Sequence, residues 1–323
     1  MKNPSLAMAK RAALLRRSAV NARIRDFFAA RDVIEVETPM LSAAGNTEPN
    51  IESFATVFNG PVTQGRGERW LRTSPEFALK RLLAEGLGDC YELGRVFRDG
   101  EAGRRHNPEF SMLEWYRVGW DHRRLIDETV ELVLDVLAAF GHRAEVRQCT
   151  YRQWFLEGLG LDPFTASLDE LRAPLADVRI DPDGLGRDDW LDLLVTHRLQ
   201  TAFARDAVTV VRDFPATQAA LAKIRDGDPP VAERFELYLG GNELANGYHE
   251  LTDAAEQRER FLRDNARRRA RGQREIPLDE RLLDALPDMP ACAGVALGIE
   301  RLLMWLAGSD DIADVLAFAF AQA

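Results

Sequence analysis

The chain has 323 residues, of which 46% are hydrophobic and 29% are charged, a composition typical of a globular protein with a substantial core. Charges interrupt the longest apolar runs well before the length of a membrane span, and no secretory pattern opens the chain, so we expect a cytoplasmic protein without a membrane partner. The formal net charge of −10 disfavours a protein whose main work is binding nucleic acid. The three cysteines form no CxxC pair, which excludes a zinc ribbon and favours buried free thiols.

The first third of the sequence predicts a helix, a strand and a second helix. Residues 6–30 have the apolar anchors of a helix, and "DVIEVETPML" has the β-branched residues of a strand that Pro39 ends. In "TSPEFALKRLLAEG", Ser74 is a candidate helix cap, Pro75 suits the first helical position and Gly86 suits the end of the helix.

A long hairpin is predicted next. "DCYELGRVF" and "EFSMLEWYRVGW" have strand-like patterns, and the loop between them carries Arg104, Arg105 and His106. Residues 122–140 place apolar side chains at alternating spacings of four and three, which predicts a helix with one core-facing side. The pattern then stays helical and rich in turns, so we predict a helical insertion at about 120–205.

The last third of the chain mixes strands and helices. "VTVVRDFP" is strand-like, "RFELYLGGNELANGYHEL" predicts two strands around a Gly-Gly turn, and "DAAEQRERFLRDNARRRARG" predicts a helix. "GVALGIERLLMWLAG" predicts a glycine-rich strand followed by an apolar helix. Because the strands come in hairpins, without regular alternation with helices, we predict one α+β domain over residues 1–323, with a mainly antiparallel sheet flanked by helices.

Two stretches are locally basic, "KRAALLRRSAVNARIR" at 10–25 and "RDNARRRARGQR" at 263–274. The simpler interpretation of each stretch is a solvent-exposed helix face. The alternative is a surface that docks an acidic partner.

The sequence lacks the motifs GxxxxGK[ST], GxGxxG, HExxH and GxSxG, so a nucleotide site would have to use other groups. The hairpin offers the first of these groups. Arg98 could bind a phosphate bidentately, and Phe110 could stack on a purine. The alternative is an Arg98 that pairs with Asp99 or Glu101 at a sheet edge.

Two further segments could contribute to such a site. Glu236 and Glu243 lie seven positions apart across the predicted Gly-Gly turn, and converging carboxylates suit Mg²⁺ that bridges phosphates. A pair of solvated surface glutamates is the alternative. In "GVALGIER", small residues would let a nucleotide approach the backbone, and Arg301 offers a second guanidinium. The alternative there is a packing strand beside an exposed arginine.

Taken together, four segments carry a resemblance to a known family. "TSPEFALKRLL", "FRDGEAGRRHNPEFSMLEWY", "ELANGYHELTDAAEQRERF" and "GVALGIERLLM" resemble, in this order, the catalytic core of class II lysyl-tRNA synthetases. "VETPML" looks like the first class II motif, whose proline lies at the dimer interface, so the resemblance implies a homodimer. It spans nearly the whole chain, and "RHNPEF" and "NGYHELTDAAEQ" are specific to the lysine branch of the class.

The resemblance implies a two-step reaction that uses ATP and Mg²⁺. The carboxylate of an amino acid attacks the α-phosphorus of ATP, pyrophosphate leaves, and an amine of the acceptor then attacks the carbonyl of the aminoacyl-adenylate. By resemblance the catalytic residues Arg98 and Arg301 hold the α- and γ-phosphates, and Glu236 and Glu243 hold the metal. The implied ATP-binding residues are Arg98, Asp99, Gly100, Glu101, His106, Asn107, Phe110, Glu243, Leu244, Gly298 and Arg301.

The resemblance also implies a set of amino-acid-binding residues, which are Ser74, Pro75, Glu76, Glu114, Tyr116, Asn246, Tyr248, Glu250 and Ala296. Glu76 and Glu250 would surround the side-chain amine of a lysine-like substrate, and Glu114 would take the other amine. Neighbouring carboxylates repel unless a cation joins them, which favours a diamino acid. The synthetase has glycine where this chain has Ala296, and the added methyl group would reshape the floor under the α-carbon.

One position departs from the family pattern, which is arginine, any residue, then glutamate. This chain has Arg98, Asp99 and Gly100 there, so the glutamate is missing. Either Asp99 or the following Glu101 contacts the adenine amine instead, or that contact is lost.

The chain is similar to a stand-alone branch of this family. A lysyl-tRNA synthetase has an anticodon-binding domain ahead of its core, whereas here we expect only a short helical segment before the first class II motif. That branch attaches (R)-β-lysine to a lysine side chain of elongation factor P, a tRNA-shaped acidic protein. "VVRDFPATQAALAKI" and Ala296 resemble that branch more than the synthetase. The implied partners are therefore β-lysine and elongation factor P, and not tRNA.

Two other functions stay open. The chain could be a truncated lysyl-tRNA-synthetase-like enzyme that acts on tRNA or another acceptor. It could also be a regulatory paralogue without catalysis, but Arg98, Glu243 and Arg301, whose loss would indicate one, are all present.

Overall fold

The computed structural model describes residues 4–61 and 67–323, which form two compact units. The first unit comprises the described residues of Met1–Gly119 and Thr252–Ala323, and the second comprises Trp120–Leu251. In chain order, the helices and strands are α1 (Pro4–Ala29), β1 (Ile34–Glu35), β2 (Leu41–Ser42), β3 (Ala55–Val57), β4 (Glu68–Leu71), α2 (Glu76–Ala84), β5 (Cys90–Phe97), β6 (Glu109–Val118), α3 (His122–Ala139), β7 (Glu145–Thr150), α4 (Tyr151–Leu159), α5 (Leu168–Arg172), α6 (Arg187–Leu194), β8 (Ala207–Pro215), β9 (Ile224–Arg225), β10 (Val231–Leu239), β11 (Asn242–His249), α7 (Ala254–Ala270), α8 (Glu280–Ala285), β12 (Cys292–Gly298) and α9 (Ile299–Ala307).

The first unit is built on β6, which pairs antiparallel with β5 on one side and with β12 on the other. β1 extends this sheet by pairing in parallel with β5, and β2, β4 and β3 form a separate small sheet. Residues 112–117 of β6 are all buried, as expected of a central strand that is covered on both faces. The predicted hairpin of β5 and β6 is confirmed, and it places Glu92 directly opposite Glu114.

Helix α1 packs against this sheet through an aromatic cluster and an ion pair. Phe28 stacks on Tyr91 with ring centroids 4.4 Å apart, and it meets the edge of Trp115 at 5.4 Å. Arg17 Nη2 lies 2.8 Å from Glu300 Oε1, and both side chains are largely buried. The basic stretch at 10–25 is therefore not simply a solvent-exposed face, because one of its arginines anchors the helix.

The second basic stretch shows the same departure from a solvated helix face. Arg268 of α7 is fully buried, and its guanidinium lies 2.7 Å from Glu52. It also donates through Nε to the carbonyl of Arg274. Arg263 and Arg267, on the same helix, are exposed, so only part of this stretch fits the prediction.

The second unit has the strand order β11, β10, β8 and β7, with β9 pairing beside β10. β10 and β11 are joined at Gly240 and Gly241, as predicted. An aromatic core that includes Tyr151, Phe155 and Trp190 packs beneath β8 and β10.

The expected insertion at about 120–205 contains α3, α4, α5 and α6, but it also contains the strand β7. Residues 145–148 of β7 are exposed. Among the described residues β7 pairs only with β8, so it is an edge strand of the sheet. Its sequence "EVRQCT" therefore carries little of the apolar alternation by which a strand is predicted.

The predicted fold class is confirmed: both units combine mainly antiparallel strands with flanking helices, which is an α+β architecture. Cys90, Cys149 and Cys292 are free and buried, as predicted. Among the described residues, no helix combines the length and the apolar character needed to cross a membrane.

Candidate active site

The predicted site residues fall in both units. The first unit holds Ser74, Pro75, Glu76, Arg98, Asp99, Gly100, Glu101, His106, Asn107, Phe110, Glu114, Tyr116, Ala296, Gly298 and Arg301. The second unit holds Glu236, Glu243, Leu244, Asn246, Tyr248 and Glu250.

In the first unit, Glu114 lies at the centre of the predicted amino-acid-binding residues. It occupies the middle of β6 and is 2% exposed. The Ser74 hydroxyl donates to its Oε2 at 2.6 Å, and the Tyr116 hydroxyl donates to its Oε1 at 2.8 Å. Ala296 lies directly opposite on β12. Four of the residues implied by the resemblance are thus brought together around one carboxylate.

The start of α2 fixes Ser74 in this arrangement. The backbone N–H of Glu76 donates to Ser74 Oγ at 3.0 Å, which satisfies one of the free donors at the beginning of a helix. Pro75 occupies the N-cap position, one residue earlier than predicted. Gly86 follows the end of the helix with φ +86°, in the left-handed region that favours glycine, as predicted.

A buried lysine pairs with the other predicted carboxylate of this group. Lys80 is 2% exposed, and its Nζ lies 2.7 Å from Glu76 Oε1, one helical turn earlier on α2. No motif in the sequence marks Lys80 as a site residue. The spacing of four residues between a glutamate and a lysine on a predicted helix was the signal that could have found the pair.

Burial and, to a smaller extent, the nearby charge of Glu76 raise the pKa of Glu114, which lies at about 7. The hydrogen bonds from Ser74 and Tyr116 and the charge of Lys80 act in the opposite direction. The side chain therefore changes its protonation state near neutral pH, which is unusual for a glutamate.

The neighbouring carboxylate on β5 has a different environment. Glu92, opposite Glu114, lies 2.6 Å from the guanidinium of the buried Arg72 and accepts a hydrogen bond from Thr38. Gly94 leaves room for this pair, since a Cβ there would come within 2.5 Å of Arg72 Nη2. Glu92 is thus a paired structural carboxylate behind the predicted substrate residues.

Arg98 directly follows β5, and its side chain is 22% exposed. Its guanidinium lies 5.2 Å from the ring centroid of Phe110 and 3.7 Å from Glu101 Oε1. Its Nε is buried and has no hydrogen-bond partner among the described residues. The contact with Glu101 fits the alternative of a sheet-edge ion pair, but 3.7 Å is long for such a pair. The Nε–H of Arg98, without a partner among the described residues and beside the Phe110 ring, would also suit a bound nucleotide.

The backbone explains why the family glutamate is missing at Gly100. Its φ of +79° lies in the left-handed region, where a glutamate would be strained although nothing would crowd its Cβ. Asp99 is exposed, and its backbone pairs with Glu52. The following residue, Glu101, reaches the Arg98 guanidinium instead. This geometry favours Glu101 over Asp99 as the substitute carboxylate.

The loop and α9 bring the other predicted ATP residues close together. Arg301 Nη2 lies 3.3 Å from His106 Nε2, and both side chains are at least partly exposed. Asn107 is buried and has a structural role as well: its Oδ1 accepts from the backbone of Phe320 and its Nδ2 donates to the carbonyl of Glu109. Gly298 is the N-cap of α9.

In the second unit, a β-bulge brings the two predicted metal ligands to the same side of the sheet. Glu236 pairs with Asn246, but the register shifts after Leu237, so Tyr238 pairs with Glu243. Directly opposite residues share a face, and the extra residue, Leu244, is left in the bulge. Glu236 and Glu243 therefore face the same way, which a regular hairpin would not allow.

Glu236 is 9% exposed and lies in a hydrogen-bonded group. Arg234 Nη2 and the Tyr238 hydroxyl each donate to it at 2.5 Å, and Arg234 Nε also donates to Asn246 Oδ1 at 3.3 Å. Burial raises the pKa of Glu236, Glu243 raises it further, and Arg234 opposes both. A divalent cation would relieve the repulsion between the two carboxylates, but it would have to share Glu236 with Arg234 and Tyr238, which already engage both of its oxygens. Arg234 was missed in the sequence, although its i, i+2 spacing to Glu236 was visible.

The remaining predicted residues of this unit lie on or just after β11. Tyr248 is opposite Arg234, Leu244 is 3% exposed, and Glu250 is 2% exposed and bridges to Ala222. Between Tyr248 and Glu250 stands His249, whose Nδ1 lies 2.5 Å from Glu233 Oε2.

His249 belongs to a charged cluster that the sequence analysis did not predict. Among the described residues, His122, Glu233 and His249 place potential metal-ligand atoms within 4.8 Å of one another. However, the second oxygen of Glu233 accepts from Arg225 at 3.0 Å, and Arg225 also binds Asp213 at 2.8 Å. Because both oxygens of Glu233 are already engaged, the geometry favours an ion-pair network over a metal site.

Asp213 connects this network to α3. It is 6% exposed, has a φ of +60° and pairs with Arg212 and Arg225, and Nε2 of the buried His122 lies 3.6 Å away. Burial would raise the pKa of Asp213, but His122, Arg225 and Arg212 together hold it well below its ordinary value.

We predict that Asp213→Asn destabilises the protein by about 2 kcal/mol at pH 7, because the arginines lose their buried counter-ion. Asparagine tolerates the left-handed backbone, so the change isolates the charge. A depressed folded pKa gives stability that is present above the unfolded pKa of about 3.9 and is lost as pH falls through the folded value. The difference in free energy of unfolding, measured by urea denaturation, should therefore shrink below about pH 4.

The matched control is Asp206→Asn, an exposed aspartate of the same unit. It should change stability by less than about 0.5 kcal/mol. Equal and pH-independent effects of the two substitutions would contradict the assignment of this stability to the charge of Asp213.

Comparisons with known proteins identify the family of the chain. The family model described as tRNA synthetases class II (D, K and N) matches residues 6–322. The chain is 45% identical over 316 residues to a protein named elongation factor P--(R)-beta-lysine ligase from Salmonella typhi, which covers 96% of this chain and 95% of that protein. It is equally similar, with the same coverage, to the protein of that name from Yersinia enterocolitica. The chain therefore belongs to the class II tRNA synthetase family.

Proposed function

We propose that this protein activates (R)-β-lysine as an adenylate with ATP and transfers it to a lysine side chain of elongation factor P. The observation that carries the proposal is the 45% identity, over almost the full length of both chains, to two proteins named for this activity. The protein is thus an ATP-dependent amino acid ligase that forms AMP and pyrophosphate.

The first step needs positive charge around the triphosphate. We assign Arg98 to the α-phosphate, because its buried Nε is unpaired among the described residues and Phe110 offers an aromatic face beside it. Arg301, at the start of α9, is assigned to the γ-phosphate together with His106. Each contact that strengthens in the transition state would contribute about 3 kcal/mol.

Magnesium would neutralise the charge that remains on the phosphates. Glu236 and Glu243 would hold it, since the bulge in β11 directs both carboxylates to one side of the sheet. The ion would act as an electrostatic clamp for ATP and for the leaving pyrophosphate. Arg234 and Tyr238 fix the orientation of Glu236 by hydrogen bonds before the ion binds.

The amino acid would be selected by its two amines. We assign one amine to Glu114, whose carboxylate is buried and accepts hydrogen bonds from two hydroxyl groups. Glu76 and Glu250 are assigned to the other amine, and Tyr116, Asn246 and Tyr248 to positioning. An analogue without an amine would leave a buried carboxylate bare, so we expect it to be rejected about 10⁴-fold.

We also propose that the protein is a cytoplasmic homodimer. The segment that resembles the first class II motif exposes Ile34, Met40 and Leu41 in the first unit. Pro39 of that segment is exposed as well. Adjacent exposed apolar residues of this kind are typical of a protein–protein interface.

The function is tested by two assays on the purified protein. ATP–pyrophosphate exchange should be fastest with (R)-β-lysine and slower with α-lysine, and labelled β-lysine should then transfer to elongation factor P and not to tRNA. Transfer to tRNA but not to the protein acceptor would refute the proposal and favour the truncated synthetase. Binding of the amino acid without any exchange would favour the regulatory paralogue.

Arg98→Ala should lower the exchange rate by at least about a hundredfold, since it removes a phosphate contact that strengthens in the transition state. The fold should survive, because the Arg98 side chain is partly exposed and its ion pair with Glu101, at 3.7 Å, is long. Arg104→Ala is the matched control: this exposed arginine of the same loop makes only a 3.7 Å pair with Asp310. Normal exchange in Arg98→Ala, or an equal loss in the control, would defeat the assignment.

Ala296→Gly should lower the preference for β-lysine over α-lysine, measured as the ratio of kcat/KM values, by about tenfold. The methyl group lies on β12 opposite Glu114, where it shapes the surface beneath the substrate. A factor of this size corresponds to about 1.4 kcal/mol, the scale of one methyl group in a pocket. Ala293→Gly, a buried change on the same strand, should reduce stability and leave the ratio unchanged. An unaltered ratio in Ala296→Gly would count against this role.

A further inference from the structure

Lys80 is a buried charge to which the proposed mechanism gives no role. Its side chain is 1% exposed, and its Nζ lies 2.7 Å from Glu76 Oε1. A lysine is almost never buried to this degree unless it is paired, and removing one partner of a buried ion pair is costly. Its partner here is a carboxylate that the proposed function assigns to the substrate.

The contacts of the two carboxylates differ in kind. Glu76 has a cation of the protein itself within hydrogen-bonding distance. Glu114 is equally enclosed, but it accepts hydrogen bonds from neutral hydroxyl groups, those of Ser74 and Tyr116. Hydroxyl donors stabilise a carboxylate less than an ammonium group does. Lys80 thus neutralises Glu76 by direct contact, whereas it acts on Glu114 only through its electrostatic field.

We infer that Lys80 is a positioning residue that sets the amine specificity of the proposed reaction: as a built-in counter-ion of Glu76, it leaves Glu114, of these two carboxylates, as the one whose charge an amine of the substrate neutralises, so the other amine relies on Glu250 for its counter-charge. The inference rests on the proposed function. In this arrangement the substrate ammonium takes the place of a proton on Glu114, and the proton leaves to solvent as the amino acid binds.

The other groups around Glu114 in the first unit are consistent with this exchange of a proton for an ammonium. From α2 and the turn before it come Glu76, Lys80 and Ser74, and from β6 comes Tyr116. From β5 come Glu92, which is already paired with Arg72, and the thiol of Cys90, whose pKa burial raises to about 12. β12 contributes Gly294 and Ala296, which do not ionise.

The charges of Glu76 and Lys80 should move the titration of Glu114 in opposite directions. Glu76 raises the pKa of Glu114, which lies at about 7, and Lys80 lowers it. Removing the lysine charge should therefore shift the protonation of Glu114 to higher pH, and removing the glutamate charge should shift it to lower pH. A lysine with a purely structural role would not produce opposite shifts.

The test is the pH dependence of the Kd for (R)-β-lysine, measured by calorimetry between about pH 5.5 and 8.5, where both amines of the ligand stay protonated. For the unaltered protein, Kd should fall about tenfold per pH unit below the half-point and level off above it. In Lys80→Met the half-point should move up by about one unit, so that Kd at pH 7 rises up to about tenfold and recovers at pH 8.5.

In Glu76→Gln the half-point should move down, even though the plateau affinity is weaker. Lys223→Met, an exposed lysine, is the matched control and should follow the unaltered protein. Circular dichroism checks that each variant folds. If Lys80→Met does not fold, Lys80→Gln, which removes the charge but keeps a hydrogen-bond donor beside Glu76, replaces it and should show the same upward shift.

Unshifted half-points in variants that fold and bind would overturn the inference and leave the proposed function intact. A uniform rise in Kd at every pH in Lys80→Met would do the same, because it would reveal a structural defect. No binding of β-lysine or α-lysine to the unaltered protein would remove the proposed function, and this inference with it.

Discussion

Buried carboxylates are the constraint on which both units depend. Water cannot solvate the charge of a buried carboxylate, so a counter-ion or hydrogen bonds from the protein must stabilise it. In the first unit Glu92 has Arg72, Glu300 has Arg17, and Glu76 has Lys80. In the second unit, Arg234 binds Glu236. Each pair joins elements or fixes a side chain, so the ion pairs that hold the fold also orient the groups proposed to act on the substrate.

Glu114 is the exception to this pattern, and it is the carboxylate that the proposed function assigns to an amine of the substrate. It is as buried as its neighbours, but two hydroxyl groups are its direct donors, and its pKa rises to about 7. A glutamate that changes its protonation near neutral pH can accept either a proton or an ammonium group at small cost. Under the proposed function, the same physical condition would keep the site stable without substrate and would make it selective for an amine.

Much of the fold could be predicted from the sequence, since local patterns carry it. The hairpins β5–β6 and β10–β11 and the helix α3 were visible as alternation and as 4-3 spacing. β7 was not, because its exposed sequence lacks such a pattern. Arg268 was misjudged within a basic run, because burial of one residue in a charged helix depends on a distant partner, Glu52.

The candidate site likewise contains residues that could be predicted from the sequence and residues that could not. The residue types around Glu114 were expected from the motifs, but the cations behind them were not. Lys80 and Arg234 come from positions where charge normally faces solvent, and only the packing of neighbouring elements encloses them. The bulge that turns Glu243 to the side of Glu236 was equally invisible, since no letter of "GGNELANG" marks a register shift.

The left-handed turn at Gly100 shows how a catalytic core can lose a side chain without losing its arginine. At φ +79° a glutamate would be strained, whereas glycine adopts this conformation freely and lets Glu101 approach Arg98. Under the proposed function, the phosphate contact would depend on the position of Arg98 directly after β5, which the hairpin register fixes independently of the turn. The adenine contact would depend on the turn itself. Phosphate binding and base recognition would therefore be separable in this loop.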